Sequence, residues 1–233
     1  MTPVLVLPSS LGTTTKLWDA NVGYWSDTLR LLCYNQRGRR SVDELGDDLL
    51  RLLDERGLER VSLCGVSLGG ATAMWVAVAA PERVDRLVLA CTSARFGDPE
   101  PWLERAAVVR RQGLESIADG IVARWFTDAA PPEVVARFRR LLVGTPRETY
   151  AAGCEALARW HFGDRLSSIR APTLVIAAAE DRTTPPDHSE LMAREIPNAK
   201  LVVLPDAAHL ANVERAEAFS MLVTEHLAAV EVA

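Results

Sequence analysis

The sequence is short of cysteine and has no long apolar run. Its 233 residues include four cysteines, and none of these forms a Cys-x-x-Cys pair. Three of the four end or lie within apolar runs, so we expect buried, reduced thiols rather than disulfides or a zinc site. No stretch reaches the roughly 18 apolar residues that a membrane-spanning helix needs.

An excess of basic residues is absent as well. The net charge is −5, and acidic and basic residues are interspersed along the chain. A nucleic-acid partner is therefore not expected, because such partners usually require a basic face. The opening residues MTPVLVLPSS have neither the basic leader nor the long apolar segment of a signal peptide. We expect a cytoplasmic protein that binds neither membranes nor nucleic acid.

Short apolar runs alternate with helical patterns along most of the chain. The runs are continuously apolar, as is typical of strands buried on both faces of a parallel sheet. They are PVLVLP, LRLLCY, RVSLCGV, RLVLACT, PTLVIAAAE and KLVVLPD. The helices predicted among them are Val42 to Arg56, Leu68 to Ala80, Ser189 to Glu195 and Ala211 to Val230. The repetition predicts an α/β fold with a doubly wound, mostly parallel sheet.

The alternation stops between residues 95 and 168, where no strand is predicted. This segment has several amphipathic helical stretches, and Pro131 and Pro146 stand at helix-start positions. We predict that residues 1–94 and 169–233 form the α/β core and that residues 95–168 form a helical insertion.

The stretch VSLCGVSLGGATA, residues 61–73, places Ser67 between glycines where a predicted strand gives way to a predicted helix. Gly-x-Ser-x-Gly at such a junction is the nucleophile elbow, a tight turn that raises the serine hydroxyl above the sheet. A Cβ at Gly65 or Gly69 would crowd the neighbouring strand or helix. The pattern predicts that Ser67 is a nucleophile; the alternative is an exposed serine in a glycine-rich turn.

A serine nucleophile needs a base, and the chain has four histidines. His209 follows the last predicted strand, at the carboxyl edge of the sheet, where ligands and catalytic groups gather. We predict that His209 is the base; a loop histidine capping the last helix is the alternative. The others are His161 near the end of the insertion, His188 at a helix start and His226 in the last helix, where an exposed side chain is expected.

The acid that orients the base should lie between the serine and the histidine in chain order. Asp181 ends the strand in LVIAAAEDRTTPP and is the preferred candidate, with Glu180 as the alternative. Glu180 is otherwise expected to form a hydrogen bond within the loop. Asp206 lies three residues before His209, and we expect it to face outward.

An oxyanion hole requires two main-chain N–H donors. Leu68, the residue after the serine, is predicted to supply one of them. The second should come from the loop after the first strand, PSSLGTTTKLW. By its position in that loop we choose Leu11, with Ser10 as the alternative.

These residues resemble a known family. GVSLGG, AAAEDRTTPP and LPDAAHLANVERAEAF resemble segments of the α/β-hydrolases. LPSSLGTTTKLWD, PDAAHLANVERAEAF and the long segment from LVLACTSARF to GIVARWF are similar to 3-oxoadipate enol-lactonases. The similarity extends over nearly the whole chain.

The resemblance implies an α/β-hydrolase fold in which the helical insertion is a lid. It implies hydrolysis of 3-oxoadipate enol-lactone to 3-oxoadipate, in the β-ketoadipate pathway of aromatic breakdown, without cofactor or metal. It carries over Ser67, Asp181 and His209 as the triad and Leu11 and Leu68 as oxyanion donors.

The implied substrate carries a free carboxylate, which requires a cation or several donors near the pocket. Arg95 follows a strand and Arg124 lies in the insertion, so both are candidates, with a solvated surface charge as the alternative for each. Trp125 and Trp160 are candidates for the apolar wall of the pocket, or else pack within helix cores.

The chain departs from the family pattern in two places. Such hydrolases usually open with a β-hairpin, but here the strand VLVLP begins within the first few residues. They also usually carry Asp-x-Arg-Gly-x-Gly-x-Ser after the next strand. The chain has YNQRGRRS there, which retains Arg37 and Gly38 but has Asn35 for the aspartate and fewer residues before Ser41.

Two other functions remain open from the sequence. One is another hydrolase of the same fold, acting on a different ester, lactone or carbon–carbon bond. The other is a ligand receptor without catalysis on this scaffold. The oligomeric state is not predicted.

Overall fold

The computed structural model describes residues 2–229, in which six strands form one sheet. The strands are β1 (Val4–Pro8), β2 (Arg30–Tyr34), β3 (Val61–Val66), β4 (Val84–Ala90), β5 (Thr173–Ala178) and β6 (Ala199–Leu204). Their order is β2-β1-β3-β4-β5-β6, and every neighbouring pair is parallel. Each strand coincides with one predicted apolar run, so the predicted α/β fold is confirmed.

Ten α-helices connect or follow the strands in the described residues. They are α1 (Asp19–Trp25), α2 (Val42–Glu55), α3 (Leu68–Ala79), α4 (Pro99–Gln112), α5 (Ala118–Trp125), α6 (Pro132–Val143), α7 (Arg147–Arg159), α8 (Pro186–Glu195), α9 (Ala211–Glu214) and α10 (Ala216–Ala228). Helix α1 was not predicted. The predicted last helix is two helices separated at Arg215, and Val230, where it was expected to end, lies outside the described residues.

The sheet is covered by helices on both faces. Successive side chains of a strand point to opposite faces, and in β1 Leu5 and Leu7 join the core under α1 and α10, whereas Val6 joins the core under α2 and α3. The inner strands β3 and β5 are buried throughout, as predicted for a doubly covered sheet. The outer strands β2 and β6 are only partly buried, because each has a single neighbour.

Helix α2 begins at the predicted Val42 and ends at Glu55, one residue before the predicted end. The Ser41 hydroxyl accepts a hydrogen bond from the Glu44 N–H at 3.2 Å, which caps the amino terminus. Gly57 follows the last turn with a φ of +61°, a conformation that favours glycine.

Residues 95–168 contain α4, α5, α6 and α7 and, within the described chain, no strand. Pro131 and Pro146 immediately precede α6 and α7, as expected for helix starts. An ion pair ties α4 to α7, since Arg110 contacts the carboxylates of Glu148 and Glu155 at 2.9 and 2.6 Å.

The four cysteines are free thiols. Cys64, Cys91 and Cys154 are buried as expected, but Cys33 is only partly buried because it lies on the edge strand β2. Burial raises the pKa of the Cys154 thiol to about 12, so this thiol stays protonated at neutral pH. Across residues 2–229, no helix is both long and apolar enough to span a membrane.

Candidate active site

Ser67 occupies a strained turn between β3 and α3. Its φ of +54° and ψ of −119° lie in a region that side-chain-bearing residues seldom adopt, at a cost of about 1–3 kcal/mol. The turn is held by the Ser67 N–H, which donates to Ala90 O at 3.1 Å, and by the Thr92 hydroxyl, which donates to Ser67 O at 2.7 Å. The elbow geometry expected from Gly-x-Ser-x-Gly is therefore present.

Glycine is required on both sides of this turn. A Cβ at Gly65 would lie 2.3 Å from the carbonyl carbon and oxygen of Gly69, inside the first turn of α3. A Cβ at Gly69 would lie 2.9 Å from the carbonyl oxygen of Pro8, at the end of β1. The predicted crowding is thus observed, against the helix for one glycine and against a strand end for the other.

His209 and Asp181 form a buried pair at the carboxyl edge of the sheet. Nδ1 of His209 lies 2.8 Å from Oδ2 of Asp181, and both side chains are almost fully buried. Asp181 follows β5 and His209 follows β6, so two neighbouring parallel strands deliver them to the same edge. With Nδ1 held by the carboxylate, Nε2 on the opposite side of the imidazole ring is available to exchange a proton.

The Asp181 carboxylate has a full set of hydrogen bonds. Oδ1 accepts the N–H groups of Thr183 and Thr184 at 2.7 and 3.0 Å, and Oδ2 accepts the Thr184 hydroxyl at 2.7 Å in addition to His209. Burial raises the pKa of Asp181, but the charge and hydrogen bond of His209 and the hydrogen bonds from Thr184 outweigh it, so the net pKa lies below the usual value. The group is an ionised acceptor for the imidazole at neutral pH.

Ser67 and His209 line the same cavity, which has a volume of about 240 Å³. Their side chains form no hydrogen bond with each other in the described structure, and such contacts often tighten only when substrate binds. The described residues hold no group of three or more His, Cys, Asp or Glu side chains suited to bind a metal ion.

Leu11 and Leu68 follow the adjacent strands β1 and β3. From β1 the chain continues to β2 on one side of the sheet and then returns to β3 on the other side, so β1 and β3 flank the topological switch point. Ligands bind beside such a point in open α/β sheets. Leu68 begins α3, so its N–H has no partner within the helix. The side chains of both leucines lie against Gly153 of α7, which places them side by side.

Hydrogen bonds within one tight turn distinguish Ser10 from Leu11 as candidate oxyanion donors. The Ser10 N–H donates to the Thr13 hydroxyl at 2.9 Å, and that hydroxyl donates back to Ser10 O at 2.9 Å. The N–H of Ser10 is therefore occupied. The N–H of Leu11, next in the chain, has no main-chain or side-chain partner among the described residues, so the geometry favours Leu11 over Ser10.

Comparison with known proteins identifies the family. The sequence profile of a family described as the alpha/beta hydrolase fold matches residues 3–216. The chain belongs to the α/β-hydrolase family. It is 36% identical to 3-oxoadipate enol-lactonase 2 of Acinetobacter baylyi over 230 residues, which cover 94% of this chain and 86% of that protein.

Two further comparisons cover almost the whole α/β-hydrolase chain. The crystal structure of the enol-lactonase from Burkholderia xenovorans LB400 matches it with a TM-score of 0.95 at 34% identity, over 98% of this chain and 92% of that one. A protein named as a carbamate hydrolase, RutD, from Stutzerimonas stutzeri is 28% identical over 97% of this chain and 92% of its own. The chain is thus an enzyme of the hydrolase class, and its resemblance to the enol-lactonases is confirmed.

The other candidate acids and bases of the α/β-hydrolase lie away from the cavity. Asp206 is 79% exposed and 3.7 Å from Arg215, so it faces outward as expected. Glu180 is exposed, and the loop hydrogen bond that it forms is made by its main-chain N–H, to Ala207 O at 2.9 Å. His226 is partly buried rather than exposed, with Nε2 at 3.2 Å from Pro172 O.

The four residues predicted to contact substrate divide into two pairs. Arg124 and Trp125, at the end of α5, line the cavity of the α/β-hydrolase. Arg95 does not, because its exposed side chain is ion-paired with Asp98 at 3.0 Å. Trp160 does not either, since its indole N–H donates to Ser93 O at 2.8 Å and its ring stacks on Phe162.

Several cavity residues of the insertion were not predicted, and three of those on α4 and α7 carry large polar or aromatic side chains. Trp102 and Arg105 on α4 and Tyr150 on α7 line the cavity. The guanidinium carbon of Arg105 lies 4.5 Å from the centre of the Trp102 ring, a cation–π contact that holds the charge in the cavity wall. Helical periodicity identified α4 and α7 but did not indicate which of their turns faces the cavity.

Proposed function

We propose that this hydrolase opens 3-oxoadipate enol-lactone to 3-oxoadipate, as its enol-lactonase relatives are named for doing, in the β-ketoadipate pathway. Ser67 acts as nucleophile, His209 as general base and acid, and Asp181 as the group that orients His209. The observation that carries the proposal is that Ser67 and the buried His209–Asp181 pair meet at one cavity that also holds two arginines without an acidic partner.

In the first half of the reaction the Ser67 oxygen forms a bond to the lactone carbonyl carbon while its proton moves to Nε2 of His209. The resulting oxyanion accepts hydrogen bonds from the N–H groups of Leu11 and Leu68. Loss of one such donor typically raises the barrier by about 3–4 kcal/mol. The ring carbon–oxygen bond then breaks, and the leaving enol oxygen takes the proton from His209.

The second half repeats these steps with water. His209 removes a proton from the water molecule, whose oxygen bonds to the acyl carbon and forms a second oxyanion. Breakage of the bond to Ser67, which regains its proton from His209, releases the carboxylic acid. The enol formed in the first half becomes a ketone, which makes ring opening thermodynamically favourable.

The carboxylate of the substrate is expected to bind Arg105 and Arg124. Both side chains line the cavity, and neither forms an ion pair among residues 2–229. The nearby Asp98 at the cavity rim is neutralised by Arg95. The cavity wall therefore carries a surplus of positive charge, which suits an anionic lactone better than a neutral ester.

Residues 95–168 act as a lid in this proposal, because α4, α5 and α7 supply cavity residues opposite the sheet edge. The Leu11 side chain packs on Gly153 of α7, so the lid also contacts the loop that carries one oxyanion donor. A cytoplasmic location, expected from the sequence, belongs to the same proposal.

A second candidate is hydrolysis of another acyl compound with the same residues. Carbamates are among the candidate substrates, because the chain is similar to a protein named as a carbamate hydrolase. Attack on a carbamate carbonyl would use the same nucleophile, base and oxyanion donors. A receptor function without catalysis is the remaining alternative. Reaction of Ser67 with a fluorophosphonate would distinguish an active hydrolase from such a receptor.

The test is steady-state turnover of the enol-lactone beside p-nitrophenyl acetate and a simple carbamate. We expect the highest kcat/KM for the lactone and almost complete loss of all turnover in Ser67→Ala. Preference for the carbamate or the ester would replace the proposed substrate. Near-normal turnover by Ser67→Ala would overturn the role of the serine.

A further inference from the structure

The short connection between β2 and α2 contacts both halves of the candidate oxyanion hole through one side chain. Nε2 of Gln36 donates to the carbonyl oxygen of Ser9 at 2.5 Å, and the main-chain N–H of Gln36 donates to the Ser9 hydroxyl at 3.0 Å. Oε1 of Gln36 accepts the hydroxyl of Thr72 at 2.6 Å. The amide therefore bridges the loop after β1 and the helix after β3.

On the first side, Ser9 is two residues from Leu11. Ser9 is 2% exposed, and its N–H donates to the carbonyl oxygen of Tyr34 at 2.8 Å. The N–H, the hydroxyl and the carbonyl oxygen of Ser9 are thus all hydrogen-bonded to Tyr34 or Gln36. The start of the loop that carries the Leu11 N–H is fixed by this connection.

On the second side, Thr72 lies one helical turn after Leu68. Its side chain is fully buried, and its hydroxyl contacts the Leu68 carbonyl oxygen at 3.0 Å as well as Gln36. Gly69 allows the helix to approach the loop, since a Cβ there would lie 3.2 Å from Ser9 O. The two halves are in close main-chain contact, and the Gln36 side chain spans them.

We infer that Gln36 is a positioning residue that sets the distance between the N–H groups of Leu11 and Leu68. Both donors must lie about 2.7–3.1 Å from one oxyanion, so a small shift of either half weakens both hydrogen bonds. The inference rests on the proposed function only for the assignment of these two donors. It does not depend on the identity of the substrate.

The experiment compares Gln36→Met with wild type in hydrolysis of p-nitrophenyl acetate. Methionine has a similar length, but its side chain cannot form the hydrogen bonds to the Ser9 carbonyl oxygen and the Thr72 hydroxyl, whereas the main-chain hydrogen bond to Ser9 is kept. We expect kcat to fall about tenfold to a hundredfold, as for small displacements of catalytic groups, while KM changes less than about threefold. Affinity for a boronic acid, whose serine adduct places an oxygen in the oxyanion hole, should fall by the same factor as kcat/KM.

Gln112→Met is the matched control, because Gln112 is exposed at the end of α4. This variant should keep the wild-type kcat and boronate affinity. A Gln36→Met protein with wild-type kcat, or with equal losses of affinity for the boronic acid and for a product-like carboxylate, would overturn the inference.

Thr72→Val tests the bridge from the other end and serves if Gln36→Met does not fold. It should lower kcat in the same direction, and the double variant should be no slower than Gln36→Met alone, because both changes break one bridge. Losses that multiply, or a Thr72→Val variant with wild-type kcat, would contradict the bridge.

The two proposals fail separately. Wild type that hydrolyses the ester but not the enol-lactone would refute the proposed substrate and leave Gln36 to be judged by its variants. Wild type active on the lactone, with an unaffected Gln36→Met, would refute only the inference. Wild type inert toward both compounds would overturn both.

Discussion

Asp181 and Glu180 are adjacent carboxylates at the end of one strand, but their surroundings differ. Asp181 is buried and accepts four hydrogen bonds, one of them from His209. Glu180 is exposed, and its side chain forms no hydrogen bond or ion pair among the described residues. Only Asp181 is placed to hold the imidazole of His209.

Replacement of these two carboxylates should therefore have very different effects. Asp181→Asn keeps the size of the side chain but cannot stabilise a positively charged imidazole, and we expect kcat for p-nitrophenyl acetate to fall about 10³- to 10⁴-fold. Glu180→Gln is the matched control and should retain kcat within about twofold, as is usual for exposed changes remote from the reaction. Comparable losses in both variants would refute the assignment of the acid.

Arg105 and Arg124 give a prediction about specificity. Arg105→Met or Arg124→Met should raise KM for the anionic enol-lactone about ten- to a hundredfold, the usual worth of a hydrogen bond to a charged group. KM for p-nitrophenyl acetate, which has no carboxylate, should change little. Arg111→Met is the control, because Arg111 is exposed on the same helix as Arg105 and does not line the cavity. Equal effects on both substrates would argue against binding of the carboxylate.

Among single residues, those that directly follow strands were predictable from the sequence, because a short apolar run marks where each strand ends. Ser67, Asp181 and His209 each follow a short apolar run, and parallel strands bring such positions to one edge. Arg105 lies within a helix, where the pattern gives the apolar face but not the turn that meets a cavity. Arg95 was predicted from its nearness to a strand end, but its charge is paired with Asp98.

The strand–turn–helix element of β3 and α3 depends on close main-chain packing. At Gly65 a Cβ would lie 2.3 Å from main-chain atoms of Gly69. Rearrangement of side chains could not relieve this clash, because the atoms that the Cβ meets belong to the main chain. The element would have to open, and Ser67 would move with it. Gly65 is therefore required by the geometry of the turn that carries Ser67.

Gly65→Ala should consequently abolish ester hydrolysis and lower the Tm. Gly120→Ala is the control, since nothing lies within 4 Å of a Cβ at that position in α5, and alanine favours helices over glycine by about 1 kcal/mol. We expect Gly120→Ala to keep activity and to have an unchanged or slightly raised Tm, measured by circular dichroism. A stable, active Gly65→Ala enzyme would contradict the close packing of the turn.

Strands and helices were predictable where their apolar run or helical periodicity was long or uninterrupted. All six strands and the helices α2, α3 and α8 were located from apolar runs, caps and periodicity. Helix α1 was missed because it has only seven residues, DANVGYW, which include a glycine and provide less than two full turns of pattern. The break at Arg215 was missed because the residues on both sides continue a helical pattern, whereas its ψ of +47° interrupts the helix.

For the molecule as a whole, the dependence of stability on pH should include a contribution far from the cavity. Asp48 on α2 is largely buried and accepts hydrogen bonds from Arg39 at 2.7 and 3.0 Å and from Arg51 at 2.8 Å. The hydrogen bonds from Arg39, with a smaller contribution from Arg51, lower the pKa of Asp48 although burial opposes them. Because its folded pKa is depressed, this carboxylate stabilises the fold above the pKa of an unfolded aspartate, about 3.9.

Asp48→Asn should therefore lower the Tm by about 2–4 °C at pH 7, the shift expected for a loss of ~1 kcal/mol in a chain of this length. The difference from wild type should stay constant down to about pH 5 and then shrink, because wild-type Asp48 becomes protonated as the pH falls through its folded pKa. Asp47→Asn, an exposed neighbour on the same helix, controls for the change of net charge. Thermal unfolding of the three proteins between pH 7 and pH 3 provides the measurement. A difference that persists undiminished at pH 3 would mean that Asp48 stabilises α2 through its shape and neutral hydrogen bonds rather than through its charge.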